Sequence, residues 1–148
     1  MEITICNMQE ADIPKAARLE EICFADPWSQ KALKESLESS QYLMLSAFVQ
    51  GEFAGYVSTY QAADELSIAN IAVFPECRNK GVADRLLKEL DEVAIKRNLY
   101  GITLEVRVSN QPAINLYKKN GYESQGVRKK FYSKPIEDAL IMWKYFQK

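Results

Sequence analysis

The stretch NIAVFPECRNKGVADRLLKELDEVAIKRN, Asn70 to Asn98, passes from an apolar strand through a proline, a basic patch and one glycine into a long amphipathic helix. A helix amino terminus leaves backbone amides unpaired and carries about half a positive charge, so it attracts anions. Arg78, Lys80 and Gly81 stand at that end. The glycine lets a ligand approach the backbone, and the two cations could neutralise a diphosphate. The bland alternative is a strand-to-helix turn with solvated bases. Two other phosphate loops are excluded, because neither G-x-x-x-x-G-K-[ST] nor G-x-G-x-x-G occurs in the chain.

A second polar cluster lies in TLEVRVS, where Leu104, Val106 and Val108 alternate with Thr103, Glu105, Arg107 and Ser109. A strand reached by a crossover helix and followed by another helix should be central and covered on both faces. Its polar face therefore either opens into a cleft or carries a solvated Glu105–Arg107 pair. Tyr117, three residues after Ile114 in the next helical segment, reads as a core residue whose hydroxyl reaches outward. The chain has no histidine. Any general base must then be a carboxylate, an amine, a tyrosine or a bound water, and histidine-dependent triads and metal sites are excluded. Cys6, Cys23 and Cys77 fit neither a disulfide framework nor a zinc site, and are expected to be buried, inert thiols.

The elements that position these residues follow from periodicity. EITICN alternates as a strand, and EADIPKAARLEEICF follows as a helix with Pro14 in its first turn. Asp26-Pro27 breaks the chain, and Ser29 caps a helix over QKALKESLES. YLMLSAFVQ, EFAGYVSTYQ and ELSIANIAVF suit an antiparallel meander. A helix from about Gly81 puts Ala83, Leu86, Leu87, Leu90 and Ala94 on one face, and GITLEVRV completes a parallel crossover. A short helix with Pro112 near its start precedes two last strands, roughly Tyr122 to Tyr132 and Asp138 to Phe146. The expected architecture is a mixed α/β single domain over residues 1–148, with a largely antiparallel sheet, a central parallel crossover and flanking helices.

Composition limits the partners. With 19 basic and 20 acidic residues the formal net charge is -1, so no global field recruits nucleic acid or anionic lipid. No apolar run approaches the ~20 residues that span a bilayer, and the amino terminus lacks a secretory pattern, so a cytoplasmic protein is expected.

Arg78-x-x-Gly81-x-Ala83 within VFPECRNKGVADRLL, followed by LEVRVSNQPAINLYKKNGY, resembles the GNAT superfamily of N-acetyltransferases, which use acetyl-coenzyme A. Within it, CFADPWS, NIAVFPECRNKG, LEVRVSN and RKKFYSKPIEDALIMW resemble, in order and spacing, the bacterial enzymes that acetylate the amino-terminal alanine of a small-subunit ribosomal protein. The resemblance implies the GNAT fold and direct transfer without a metal. It implies that Ile71, Ala72 and Val73 present strand backbone to the pantetheine arm. Arg78, Asn79, Lys80, Gly81, Val82, Ala83 and Asp84 would form the pyrophosphate loop, and Asn110 would contact the coenzyme. Glu105 becomes the proton acceptor and Tyr117 the proton donor. Ala83 stands where a glycine is commoner, and Asp84 is expected to point away from the phosphates. Trp28 and Tyr132, with Phe131, are candidate walls for the peptide, although core packing is the plainer role for Trp28. A ribosomal protein amino terminus is the expected partner, met by a monomer or weak dimer. The alternatives are a lysine or small-molecule amine as acceptor, or a non-catalytic acyl-coenzyme A-binding module.

Overall fold

The computed structural model describes residues 2–147. Its strands are β1 (Ile3–Asn7), β2 (Tyr42–Val49), β3 (Glu52–Ala62), β4 (Glu65–Val73), β5 (Gly101–Arg107), β6 (Glu123–Ser133) and β7 (Ile136–Tyr145). Its helices are α1 (Ile13–Cys23), α2 (Gln30–Glu38), α3 (Val82–Lys96) and α4 (Gln111–Lys119). Side chains cap two of them. Ser29 Oγ accepts from the Ala32 amide at 3.1 Å, and Asn110 Oδ1 from the Ala113 amide at 3.3 Å.

The strands form one sheet in the order β1-β2-β3-β4-β5-β7-β6, antiparallel except for the β4–β5 pair that α3 connects. Leu86, Leu87, Leu90 and Ala94 of α3 and Ile114 of α4 are buried in one core on one side of the sheet. Ile13, Ala16, Ala17 and Leu19 of α1 and Leu33 of α2 form a second core on the other. Each large apolar side chain so buried contributes about 1.5–3 kcal/mol. A helical layer on both sides of the sheet is the outcome.

The irregular place in this sheet matters most. β4 and β5 pair only from Glu65–Ser67 to Gly101–Thr103. On the other edge of β4, Ile68 pairs with Thr59 and Asn70 with Ser58, so Ala69 is an unpaired bulge. A bulge bends and twists its strand. Beyond it, Asn70–Val73 and Leu104–Arg107 have no partner in one another, and a cleft opens between them.

Two expectations need correction. β7 begins at Ile136 rather than Asp138, because the turn uses only Lys134 and Pro135. The cysteines are not all buried: Cys6 is exposed and Cys23 and Cys77 are half-buried. β1 is an edge strand whose Ile3 and Ile5 face the core, which leaves Cys6 on its outer side.

Candidate active site

The cleft has a volume of about 1370 Å³. Its walls come from the end of β4, the start of α3, β5, α4, the loop between α1 and α2, and the β6–β7 hairpin.

At the α3 end, Asn79 (φ +62) and Gly81 (φ +84) adopt left-handed backbone, which turns the chain sharply into the helix. Among the described residues no side chain caps this terminus, so its first amides remain available to an anion. A Cβ at Gly81 would meet nothing within 4 Å, so the glycine answers to backbone conformation and leaves open space beside the loop. The Asp84 carboxylate is turned towards α4, accepting from Asn120 Nδ2 at 2.9 Å and pairing with Lys119 Nζ at 3.3 Å. Asn79, Gly81, Val82, Ala83 and Asn110 line the cleft, whereas Lys80 is exposed outside its lining. Val82 buries its side chain in the core, so only its backbone can serve a ligand. Arg78 also lines the cleft, but its guanidinium is engaged: Nε donates to the Val73 carbonyl at 3.2 Å and Nη2 to Cys23 Sγ at 3.4 Å. Burial pushes the Cys23 thiol up, against the opposing pull of Arg78.

Ile71, Ala72 and Val73 pair with β3 on one side only, leaving their other backbone edge to the cleft. Opposite them the polar face of β5 divides its work. Thr103 Oγ1 donates to the Met142 carbonyl at 3.0 Å. Arg107 clamps the hairpin turn, donating to the Lys134 and Pro135 carbonyls and to Glu137, with its guanidinium 4.3 Å above the Tyr132 ring. Glu105 lines the cleft and pairs with Arg128 of β6 at 3.2 Å, an ion pair whose partners are 57% and 29% exposed for arginine and glutamate. Such a pair is worth about 0–1 kcal/mol and is easily exchanged for another cation.

Tyr117 also lines the cleft and is only 6% exposed. Burial, then the neighbouring Tyr132, pushes its phenol up, so it keeps its proton throughout the neutral range. Among the described residues its hydroxyl has no hydrogen-bond partner. The arrangement brings a carboxylate and a protonated phenol to one cleft, with an uncapped helix end beside them.

Trp28 packs on the α1–α2 core and also lines the cleft. Tyr132 is half-buried and lines the hairpin side, with exposed Phe131 edge-on to it at 5.0 Å between centroids. Sequence reasoning missed Glu20. Its carboxylate is fully buried and accepts from the Trp28 amide at 2.8 Å, Asn70 Nδ2 at 2.9 Å and the Tyr56 hydroxyl. Burial pushes its carboxyl up against the downward pull of these bonds. The signal was available: an acid four residues after Ala16 and three after Ala17 falls on the apolar face of α1.

The family model for the acetyltransferase (GNAT) family matches residues 13–122, and the chain belongs to that family. It is therefore an N-acetyltransferase, in a family that uses acetyl-coenzyme A. The [ribosomal protein bS18]-alanine N-acetyltransferase of Escherichia coli is 33% identical over 141 residues, covering 94% of this chain and 95% of that protein. A Bacillus subtilis protein provisionally given the same activity is 37% identical over 140 residues, covering 93% and 91%. The crystal structure of the Escherichia coli enzyme superposes with a TM-score of 0.90 at 32% identity, covering 99% of this chain and 96% of that one.

Proposed function

We propose that the chain acetylates the amino-terminal alanine of a small-subunit ribosomal protein by direct transfer from acetyl-coenzyme A. The observation that carries the chemistry is the parting of β4 and β5, which brings Glu105, Tyr117 and the uncapped start of α3 to one cleft. The acceptor follows from relatives named for that activity, which match this chain over nearly its whole length.

In this reading the α3 amides and the cations of the Arg78–Asp84 loop hold the pyrophosphate, with Asn110 beside the coenzyme. Arg78 leaves Cys23 to reach it. The free edge of Ile71–Val73 aligns the pantetheine arm. The acceptor ammonium displaces Arg128 from Glu105, which takes a proton directly or through one water. An amino-terminal amine has a reference pKa of about 7.7–8.0, against about 10.4 for lysine, so a carboxylate suffices as base. The neutral nitrogen attacks the thioester carbon, while amides near Val73 polarise the carbonyl. The attacking nitrogen gives its second proton to solvent, the carbon–sulfur bond breaks with its electron pair on sulfur, and Tyr117 protonates or hydrogen-bonds the departing thiolate. Proximity supplies the remaining acceleration, with no covalent enzyme intermediate.

Peptides differing only in their first residue, with free or blocked amino termini, test the acceptor by mass spectrometry. Acetyl should appear on the α-amine of alanine-starting peptides. Turnover on lysine side chains with none on amino termini would refute the assignment.

A further inference from the structure

The segment Phe24–Trp28 contributes Phe24, Ala25, Asp26 and Trp28 to the wall of the cleft yet belongs to no helix or strand. Both its ends are held by one residue. The backbone carbonyl of Glu20 accepts from the Phe24 amide at 2.9 Å, and the carboxylate of the same residue accepts from the Trp28 amide at 2.8 Å. The second carboxylate oxygen takes the Tyr56 hydroxyl of β3 and the Asn70 amide of β4. Asn70 directly precedes Ile71–Val73, the backbone edge that faces the cleft. One buried carboxylate thus joins this irregular wall to β3 and β4.

Stability alone does not ask for this arrangement. A fully buried carboxylate is expensive to desolvate, and an apolar residue packed among Ala16, Ala17 and Leu19 would often be at least as stable. A carboxylate does what an apolar side chain cannot: it accepts at once from three donors, one on the connecting segment and one on each of β3 and β4. The Trp28 amide has no other acceptor among the described residues, so without Glu20 the far end of the segment loses its anchor.

We propose that Glu20 is a positioning residue for the acceptor, fixing the Phe24–Trp28 wall at a set distance from β4 and thereby the width of the groove that receives the incoming amine. The role rests on the acetyl-transfer reading of the cleft. Coenzyme binding is assigned to the Arg78–Asp84 loop and to the backbone edge of Ile71–Val73, which its own pairing with β3 holds in place without Glu20, so the two substrates should respond differently to its loss.

Steady-state kinetics of Glu20→Ala with an alanine-starting peptide should show the acceptor KM raised about tenfold or more, with the acetyl-coenzyme A KM within about twofold of wild type. Glu20→Gln retains an oxygen for the Trp28 amide and should keep the acceptor KM within about threefold. If Glu20→Ala does not fold, Glu20→Asp carries the same expectation, since it withdraws the carboxylate by one methylene. A lower melting temperature with both KM values unchanged would mean a purely structural role and overturn the proposal, as would an equal rise in both. A wild-type enzyme that ignores the peptide would instead overturn the acceptor assignment. Glu20 is then judged by hydrogen exchange of the Trp28 amide, which should quicken at least about tenfold in Glu20→Ala or Glu20→Asp and hold in Glu20→Gln. Unchanged exchange in the first two also rejects the proposal.

Discussion

Glu105 and Tyr117 sit in one cleft under opposite constraints. Glu105 is partly exposed and held in a weak surface ion pair with Arg128, which a substrate cation replaces in the proposed mechanism, while Tyr117 is buried deeply enough to remain a phenol. Removing either group should therefore harm chemistry more than binding. Glu105→Gln should lower kcat by about 10²- to 10⁴-fold, the range of a lost general base, and Tyr117→Phe by a similar factor. Coenzyme thiol release in steady state checks both, and a Glu105→Gln enzyme with unchanged kcat would remove Glu105 from its assigned role. The family resemblance singled out these two residues in the sequence. The ion pair that holds Glu105 was not legible there, because Arg128 lies 23 positions away and reaches it only across the hairpin.

At the scale of elements, the cleft depends on how closely β3 and β4 run and on how the β6–β7 hairpin is pinned. A Cβ on Gly55 would lie 2.5 Å from the Ala72 carbonyl oxygen, a backbone atom that cannot turn aside. Gly55→Ala should therefore push β4 outward, destabilise the fold by about 1–3 kcal/mol and raise the acetyl-coenzyme A KM, as denaturation and kinetics would measure. The hairpin is held by Glu137, whose carboxyl is kept below the usual range by Ser109 and then by Arg107, and by Asp138, lowered chiefly by the Lys130 amide. A depressed carboxyl pKa stabilises the folded state above the unfolded value and ceases to do so as pH falls through the folded one. Hairpin stability should thus be constant near neutrality and decline below about pH 4, the reference carboxylate region. Amide exchange in β6 and β7, corrected for intrinsic rates and followed from about pH 3, below the reference carboxylate values, to about pH 7, would reveal any decline that begins instead near neutrality. Element types were readable from period, caps and prolines, since these are settled within a few residues. The start of β7 was misplaced because Lys134-Pro135 resembles a longer loop until its pairing is seen.

For the whole molecule, the two helical layers are built before any ligand arrives, and the cleft lies between strands that no longer pair. A ligand bridging the α3 terminus and β4 should stabilise the folded state. At about a hundredfold excess of acetyl-coenzyme A over its Kd the gain is about 2.7 kcal/mol. At ~2–4 °C per kcal/mol for a chain of this size, the melting temperature should rise about 5–10 °C. Calorimetry with and without the coenzyme measures it, and no shift at millimolar ligand would contradict the coenzyme site. The amino-acid order by itself determined the helix and strand types and the glycine joint at Gly81, because each is set by neighbours a few positions away, and its composition alone determined the lack of histidine chemistry. Only the tertiary structure decided that Ala69 bulges and opens β4 from β5, that Arg78 rests on Cys23, and that Glu20 gathers Trp28, Tyr56 and Asn70. Those contacts join residues up to 55 positions apart, and strand order and register bring them together.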